Sequence, residues 1–184
     1  MKKWPTLNTQ KILTAHVFRY LKVERQSPLT NKVGEFDVVQ CFNWVNIIAI
    51  TKDQKIVLVK QYRHGTDNIT LEIPGGAVHP NEDFLLAAQR ELQEETGYTS
   101  SEWRFLGQVD ANPAFMNNFC QTYLASNAEK THEQNLDPFE EIEVVLEDIV
   151  KIKEMILNGS ITHSLIIAAF YLFSSRGQQQ STLG

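Results

Sequence analysis

The stretch that decides the fold is Gly76–Tyr98, which reads GAVHPNEDFLLAAQRELQEETGY. Its second half predicts a helix over Asp83–Thr96, with Asn81 as the N-cap and Gly97 as the residue that ends it. Apolar residues recur at helical spacing and give the helix one buried face: Phe84, Leu85, Ala88 and Leu92.

Three glutamates of this helix share another face. Glu91, Glu94 and Glu95 stand at positions i, i+3 and i+4, so their carboxylates are neighbours that repel one another. They also lie near the helix C-terminus, where the macrodipole disfavours anions. A divalent cation would relieve both costs, since carboxylates are the ligands that Mg²⁺, Mn²⁺ or Ca²⁺ accept. An isolated run of this kind is more often a solvated acidic face, here partly neutralised by Arg90.

The surrounding residues favour the metal-binding interpretation. The spacing G-x5-E-x7-R-E-U-x-E-E-x-G-U, in which U is bulky apolar or aromatic, is met throughout: Gly76, Glu82, Arg90, Glu91, Leu92, Glu94, Glu95, Gly97 and Tyr98. This pattern resembles the Nudix box, the signature of the Nudix hydrolase family. The resemblance implies an α+β fold, an α/β/α sandwich with a mixed sheet. It also implies a divalent metal, Mg²⁺ or Mn²⁺, and hydrolysis of a diphosphate linked to another group.

The box residues receive roles on this basis. Glu91 and Glu95 lie one helical turn apart and can hold a shared ion that activates water. Glu94 adds a ligand or holds a bound water, and it is counted among the catalytic residues as well. Arg90 is assigned to orienting the acids, with a weak surface ion pair as the alternative. Glu82 lies away from the Glu91 face, and we expect it to be structural or to support the ligands.

The resemblance implies two further groups. A backbone carbonyl near Gly75 is expected to ligate the metal, and a glutamate from a loop beyond the box is expected to act as general base. Glu140, Glu141 and Glu143 are the candidates, with solvated residues beside a strand as the alternative. We select Glu140 because it lies in the loop just before the strand, within reach of the attacking water.

Substrate contacts are predicted at two residues. Arg63 closes a predicted strand, and its planar guanidinium suits bidentate contacts to phosphate. The alternative is an ordinary surface arginine at a strand end. Trp44 could stack on a nucleobase, although such a tryptophan is more often part of a core or an interface.

Composition places the chain among globular proteins. It has 184 residues, 42% of them hydrophobic, and a net charge of −5. These values suit one main domain, and without a long basic run nothing predicts nucleic-acid binding. The N-terminus lacks the apolar core of a signal peptide, and the longest apolar run, Leu165–Phe173, is too short to cross a bilayer. We therefore expect a cytoplasmic protein that does not bind membranes.

Periodicity predicts the remaining elements and three regions. Residues 1–43 are predicted as a small antiparallel β unit, after a loose start over residues 1–10. Because two or three strands alone are marginal in water, this unit must pack on its own core or on a second subunit. Residues 44–175 are predicted as the hydrolase domain, and residues 176–184 as a disordered tail. The predicted elements are strands Leu13–Val23, Phe36–Phe42, Val45–Ile50, Lys55–Tyr62, Leu71–Ile73, Trp103–Val109, Phe119–Ala125 and Glu141–Val145, a polar loop over Ser126–Pro138, and helices Leu146–Leu157 and Ile161–Phe173.

Motifs outside the box resemble the ADP-ribose pyrophosphatase branch of the family. They are Leu71–Gly76, Gln61-Tyr62-Arg63 and Pro113. The N-terminal strands also resemble that branch, which implies a homodimer that exchanges them. One departure is that Asn117 and Asn118 stand where the branch often has an acidic residue after Pro113. Other nucleoside diphosphate sugars or dinucleotides therefore remain open as substrates.

Three hypotheses follow. The first is a metal-dependent hydrolase that cleaves ADP-ribose or a related nucleoside diphosphate sugar into two monophosphates. The second is a catalytically silent ligand-sensing module on the same fold, although such modules tend to lose a box glutamate or arginine and none is missing here. The third is a calcium-stabilised structural protein, which a helix bearing three glutamates matches poorly.

Overall fold

A computed structural model describes residues 1–178 and divides the chain into two compact units. The first unit comprises Met1–Asn43 and Asp110–Phe119. The second comprises Trp44–Val109 and the described chain from Cys120 onward. Within residues 1–178, no helix is long and apolar enough to span a bilayer.

The first unit is a three-stranded antiparallel sheet of order β1-β2-β3. Its strands are β1 Thr6–Thr14, β2 Phe18–Gln26 and β3 Val33–Cys41. The predicted single strand over Leu13–Val23 and the predicted loose start are wrong. A tight turn, closed by the Ala15 N–H donating to the Phe18 carbonyl (2.9 Å), separates β1 from β2. Both strands have the same two-residue period, so the alternation of apolar residues continues through the turn, with Arg19 as its one polar position, and does not reveal where the turn lies.

The segment Asp110–Phe119 belongs to this unit because it bonds to the end of β3. The Val39 N–H donates to the Phe115 carbonyl at 2.7 Å. The Cys41 N–H donates to Asn117 Oδ1 (3.3 Å), and Asn118 Nδ2 donates to the Phe42 carbonyl (2.9 Å). The two asparagines therefore hold backbone groups. At Asn118 the bond requires a donor, which an amide supplies and a carboxylate does not.

The second unit is built on one mixed sheet. Its central path has the order β11-β5-β4-β10-β8, with β6 beside β5, β7 beside β4 and β9 beside β10. β4 and β10 are parallel, whereas β5 pairs antiparallel with β4, β6 and β11. The strands are β4 Trp44–Thr51, β5 Lys55–Arg63, β6 Asn68–Glu72, β7 Gly75–Ala77, β8 Tyr98–Thr99, β9 Glu102–Asp110, β10 Phe119–Lys130 and β11 Ile142–Asp148.

Helices cover both faces of this sheet. They are α1 Phe84–Thr96, α2 Ile152–Leu157, which follows a 3-10 turn at Ile149–Lys151, and α3 Ser164–Gln178. Alternate residues of β4 point to opposite faces: Ile47 packs in one cluster with Ala88 and Leu92 of α1, and Ile48 in another with Ile166 and Ala169 of α3. The predicted α/β/α sandwich with a mixed sheet is confirmed.

Some predicted bounds are wrong. The helix predicted from Leu146 begins later, because Leu146 to Asp148 still pair with β5. β10 continues to Lys130 through a bulge after Ala125, into the predicted loop. α3 starts at Ser164 and reaches Gln178, past the predicted end at Phe173 and into the predicted tail. The rest of that tail, residues 179–184, lies outside the described residues.

The ends of α1 are fixed locally. Asp83, not the predicted Asn81, is the N-cap: its Oδ1 accepts from the N–H groups of Leu85 (2.9 Å) and Leu86 (3.2 Å). Asn81 instead adopts a positive φ of 65° in the preceding turn. Gly97 ends the helix as predicted, with φ of 74° and its N–H bonded to the Gln93 carbonyl.

Candidate active site

Two glycines of β7 allow α1 to approach the sheet closely. The Gly75 N–H donates to Glu95 Oε2 at 3.0 Å. A Cβ on Gly76 would lie 2.5 Å from the Glu91 carboxylate, and one on Gly75 would collide with the Val45 carbonyl. Glycine at position 76 therefore leaves room for the Glu91 carboxylate, and glycine at position 75 lets β7 lie close to β4. Ligation by the Gly75 carbonyl stays a prediction.

Arg90 gathers the other acids of the predicted box. Its Nε and Nη2 donate to the two carboxylate oxygens of Glu82 at 2.8 and 3.1 Å. Its Nη1 donates to Glu91 Oε1 (2.8 Å) and to Glu94 Oε2 (3.0 Å). Nη2 also reaches the Ala77 carbonyl at 3.2 Å, which ties α1 to β7. A planar group with five donors is needed for this arrangement, which an ammonium could not reproduce.

Glu82 holds Arg90 from the side opposite the glutamates of α1. Besides its two bonds to Arg90, its Oε2 accepts from the His79 N–H at 2.8 Å. The hydrogen bonds from Arg90 lower the pKa of Glu82 to about 2, against some opposition from burial. Glu82 is thus a fixed anion that orients Arg90.

Glu91 and Glu95 are buried carboxyl groups whose anionic forms are poorly stabilised by their surroundings. Only 4% of Glu95 is exposed. Burial raises its pKa to about 8; the Gly75 N–H opposes that rise, and the charges of Glu91 and Glu140 add to it. Burial also raises the pKa of Glu91, with Arg90 opposing and Glu94 and Glu140 adding. Buried carboxylates of this kind favour a cation.

The residues present fit a divalent cation by their chemistry. Among the described residues, no three Asp, Glu, His or Cys side chains are already arranged as a metal site. Arg90 holds one oxygen of Glu91 and one of Glu94, which leaves the second oxygen of each carboxylate for a cation. Glu95 accepts from one backbone N–H. The donor set is all-oxygen and anionic, as hard divalent ions require.

Glu140 shares the electrostatic field of this cluster. It lies exposed in the loop before β11, where its Oε2 accepts from the Asp137 N–H at 3.2 Å. Its charge raises the pKa of both Glu91 and Glu95. By contrast, Glu143 is paired with Lys60 at 3.0 Å. The choice of Glu140 as base stays a prediction, and its electrostatic interaction with Glu91 and Glu95 is consistent with that choice.

The loop that carries Glu140 is bonded to the end of α1. Gln134 Nε2 donates to the Glu95 carbonyl (2.6 Å) and to the Ile142 carbonyl (3.1 Å), and the Asn135 N–H donates to the Glu94 carbonyl (2.8 Å). Helix-end carbonyls lack partners inside the helix, so this loop satisfies them. Sequence analysis missed Gln134, because nothing in a polar segment marks one amide as a bridge.

Arg63 is held by an acid that sequence analysis left unassigned. Its Nε and Nη2 donate to the two carboxylate oxygens of Glu72 at 2.8 and 2.9 Å, and Glu72 is 2% exposed. Burial alone would raise the pKa of Glu72, but Arg63 and Thr70 hold it below its ordinary value. A glutamate between the apolar residues Leu71 and Ile73 was the available clue, since a charge so placed needs a partner.

Trp44 begins β4 and is half buried. Its backbone pairs with Ala77 of β7 and with Cys120 of β10. Stacking of Trp44 on a nucleobase stays a prediction.

Comparison with known proteins identifies the class. A family model described as the NUDIX domain matches residues 44–170. The chain is 32% identical over 172 residues to the methanol dehydrogenase activator of Bacillus methanolicus, covering 91% of each chain. It is 32% identical over 153 residues to the ADP-ribose pyrophosphatase of Bacillus subtilis, covering 81% of this chain and 82% of that one. The chain therefore belongs to the Nudix hydrolase family.

A solved structure shows the same fold. The crystal structure of an ADP compounds hydrolase has a TM-score of 0.85 to this chain, with coverage of 98% of this chain and 97% of that one, at 19% identity. Nudix hydrolases generally use divalent metal ions. The donor set built by α1 and β7 is consistent with that family property.

Proposed function

We propose that this chain is a divalent-metal-dependent pyrophosphatase that hydrolyses ADP-ribose, or a related nucleoside diphosphate sugar, to a nucleoside monophosphate and a sugar phosphate. The observation that carries the proposal is the placement of the Glu91 and Glu95 carboxyl groups, which lie against Gly75 and Gly76 where a cation would stabilise their anionic forms. The ADP-ribose pyrophosphatases among the relatives support the substrate class.

In this proposal the side chains divide the work. Glu91, Glu94 and Glu95, with the Gly75 carbonyl, would hold Mg²⁺ or Mn²⁺. The bound ion would neutralise diphosphate oxygens and lower the pKa of the attacking water. Glu140 takes the proton of that water as its oxygen adds to one phosphorus and the other phosphate departs with the bridging oxygen.

Binding of the substrate is assigned to two groups. Arg63 directs its guanidinium toward a phosphate oxygen, and Trp44 stacks on the base. Arg90 touches no substrate in this proposal, because its donors are taken by Glu82, Glu91, Glu94 and Ala77; it keeps the carboxylates in place.

The experiment is a substrate panel: ADP-ribose, other nucleoside diphosphate sugars, NADH, diadenosine polyphosphates and nucleoside triphosphates. Each is incubated with Mg²⁺, with Mn²⁺ and with EDTA, and phosphate is measured after alkaline phosphatase. We expect metal-dependent release, greatest from ADP-ribose. Greater release from another diphosphate would identify that compound as the preferred substrate. No release from any compound would contradict the proposal and favour the ligand-sensing module.

A second candidate function comes from one relative. The methanol dehydrogenase activator matches 91% of this chain, so the chain could act on a dehydrogenase. Adding the wild-type protein or its Glu95→Gln variant to a methanol dehydrogenase, and measuring the dehydrogenase rate, separates the two. Stimulation by wild type and not by the variant would make the hydrolase activity the means of activation.

We also propose that residues 1–43 make a homodimer. All nine residues of β1 are exposed, and β1 lies at an edge of its sheet with apolar Leu7, Ile12 and Leu13 open to solvent. Exposed edge strands with apolar side chains invite pairing with another chain. Sedimentation of wild type and Leu13→Lys at several concentrations tests this; a monomeric wild type at all concentrations would contradict it.

A further inference from the structure

Five polar residues share one face of the β5–β6 hairpin, two on β5 and three on β6. Gln61 lies opposite Thr70, and Arg63 opposite Asn68, in the antiparallel register that also pairs Val59 with Glu72. Side chains two residues apart point to the same face of a strand. Gln61, Arg63, Thr70 and Glu72 therefore stand together, and we call them the hairpin cluster.

Glu72 is the anchor of the hairpin cluster. It is 2% exposed, and its carboxylate accepts three hydrogen bonds. Two come from Arg63 Nε and Nη2 (2.8 and 2.9 Å), and the third comes from Thr70 Oγ1 at 2.7 Å. A buried carboxylate is tolerated only with such saturation. The two bonds to Glu72 therefore fix the plane of the Arg63 guanidinium.

One edge of that guanidinium remains open. Arg63 exposes 43% of its side chain, and its Nη1 has no hydrogen-bond partner within residues 1–178. The Glu72 hydrogen bonds raise the pKa of Arg63 against burial, and the charges of Glu95 and Glu140 add to the rise. Arg63 therefore lies within the field of the candidate metal site.

We propose that Glu72 is a positioning residue, which fixes the Arg63 guanidinium so that Nη1 donates to a phosphate oxygen of the diphosphate substrate. The proposal rests on the proposed function. Because Glu72 offsets the charge of Arg63, the contact contributes through direction more than through net attraction. A lysine at position 63 could not make the same directed contact, since an ammonium group has no plane that Glu72 could fix.

A purely structural ion pair is the competing explanation, and a double-mutant cycle separates the two. If Glu72 acts through Arg63, Glu72→Gln has little further effect once Arg63→Lys is present. If the pair serves only the fold, the variants lower the melting temperature and leave KM unchanged.

The experiment measures KM, kcat and melting temperature for Glu72→Gln, Arg63→Lys and the double variant. We expect each single variant to raise KM for ADP-ribose about tenfold, with kcat within about threefold, because a hydrogen bond from a charged group is lost from ground and transition state alike. The double variant is expected to match Arg63→Lys. Calorimetry with ADP-ribose in EDTA should show the same increase in Kd without turnover.

Two further variants keep the test decisive. Thr70→Val removes one bond to Glu72 at nearly constant volume, and it should raise KM about threefold if Glu72→Gln does not fold. Glu147→Gln is the matched control: it breaks the Glu147–Lys151 pair (2.8 Å), and its KM should equal that of wild type.

Unchanged KM in folded Glu72→Gln or Thr70→Val, or additive effects in the double variant, would overturn the positioning role while the proposed function stands. Failure of the proposed function shows first in wild type, as absence of metal-dependent hydrolysis. If the wild-type protein also fails to bind ADP-ribose in EDTA, both the proposed hydrolysis of ADP-ribose and the positioning role of Glu72 toward it are contradicted.

Discussion

Two arginine–glutamate clusters in the second unit differ in charge balance. Arg90 is shared by three glutamates, and a fourth, Glu95, is buried beyond its reach with one backbone N–H as donor. Arg63 is paired with one glutamate through both carboxylate oxygens. The first cluster keeps an excess of negative charge, and the second keeps none.

The difference shows what each cluster can attract. Excess carboxylate next to glycine backbone favours a cation, whereas a neutral pair with a fixed guanidinium edge favours an anionic group held by direction. A diphosphate with a divalent ion needs both. Variants in the Arg90 cluster should therefore lower the rate of catalysis. Variants of the Arg63–Glu72 pair should instead weaken substrate binding.

The largest effect is expected for Glu95→Gln. It replaces a buried ionisable carboxyl group, a candidate metal ligand, by an amide of nearly the same volume, so the fold should survive and turnover should fall by at least about 1000-fold. Activity at saturating Mg²⁺, with circular dichroism as the control for folding, measures this. Wild-type turnover in a folded variant would refute the metal role of α1, whatever the substrate.

Glu140→Gln is expected to lower kcat by at least about 100-fold, because a general base contributes that much or more. The comparison is Glu143→Gln, which breaks only an exposed pair with Lys60. Single-turnover rates of the two variants decide between the candidates. If the single-turnover rate falls in Glu143→Gln and stays at the wild-type value in Glu140→Gln, Glu140 is not the general base.

Arg90→Lys tests orientation on its own. The charge stays, but the fork that holds Glu82, Glu91 and Glu94 is lost, so kcat should fall about 10- to 100-fold and the Mg²⁺ concentration for half-maximal activity should rise. A magnesium titration of activity measures both. If KM for the substrate rises while kcat and the Mg²⁺ requirement stay unchanged, Arg90 contacts the substrate instead of orienting the carboxylates.

The smallest effect concerns stability at acid pH. The folded pKa of Glu82, about 2, lies below its ordinary value of 4.5, so its contribution is fully present above pH 4.5 and is lost as the pH falls toward 2. Urea unfolding between pH 7 and pH 3 should show a steeper loss for wild type than for Glu82→Gln; parallel curves would contradict it.

Local periodicity made much of the site predictable. The helix, its stop at Gly97 and the shared face of Glu91, Glu94 and Glu95 follow from spacing alone, since a regular helix fixes which residues are neighbours. The N-cap did not follow, because Asn81 and Asp83 are both good caps. The turn in which Glu82 N–H donates to the His79 carbonyl (3.1 Å) decides between them.

Contacts across the fold could not be predicted. The partner of Arg63 depends on the register between β5 and β6, and the bridge from Gln134 to Glu95 joins residues far apart in sequence. Likewise, a two-residue period marks strands but not the turn between β1 and β2. Sequence therefore indicated which groups the site contains, and the fold determined how each is held.

The parallel pairing of β4 with β10 has a consequence for synthesis of the chain. The apolar face of α1 packs on Tyr123, Ala125 and Ala128, which come from β10. A nascent chain ending before residue 120 carries the whole box yet lacks part of the surface that buries its helix. Contacts of such sequence separation form late and slow folding. We therefore expect the glutamates of the candidate metal site to be assembled only after most of the chain has left the ribosome.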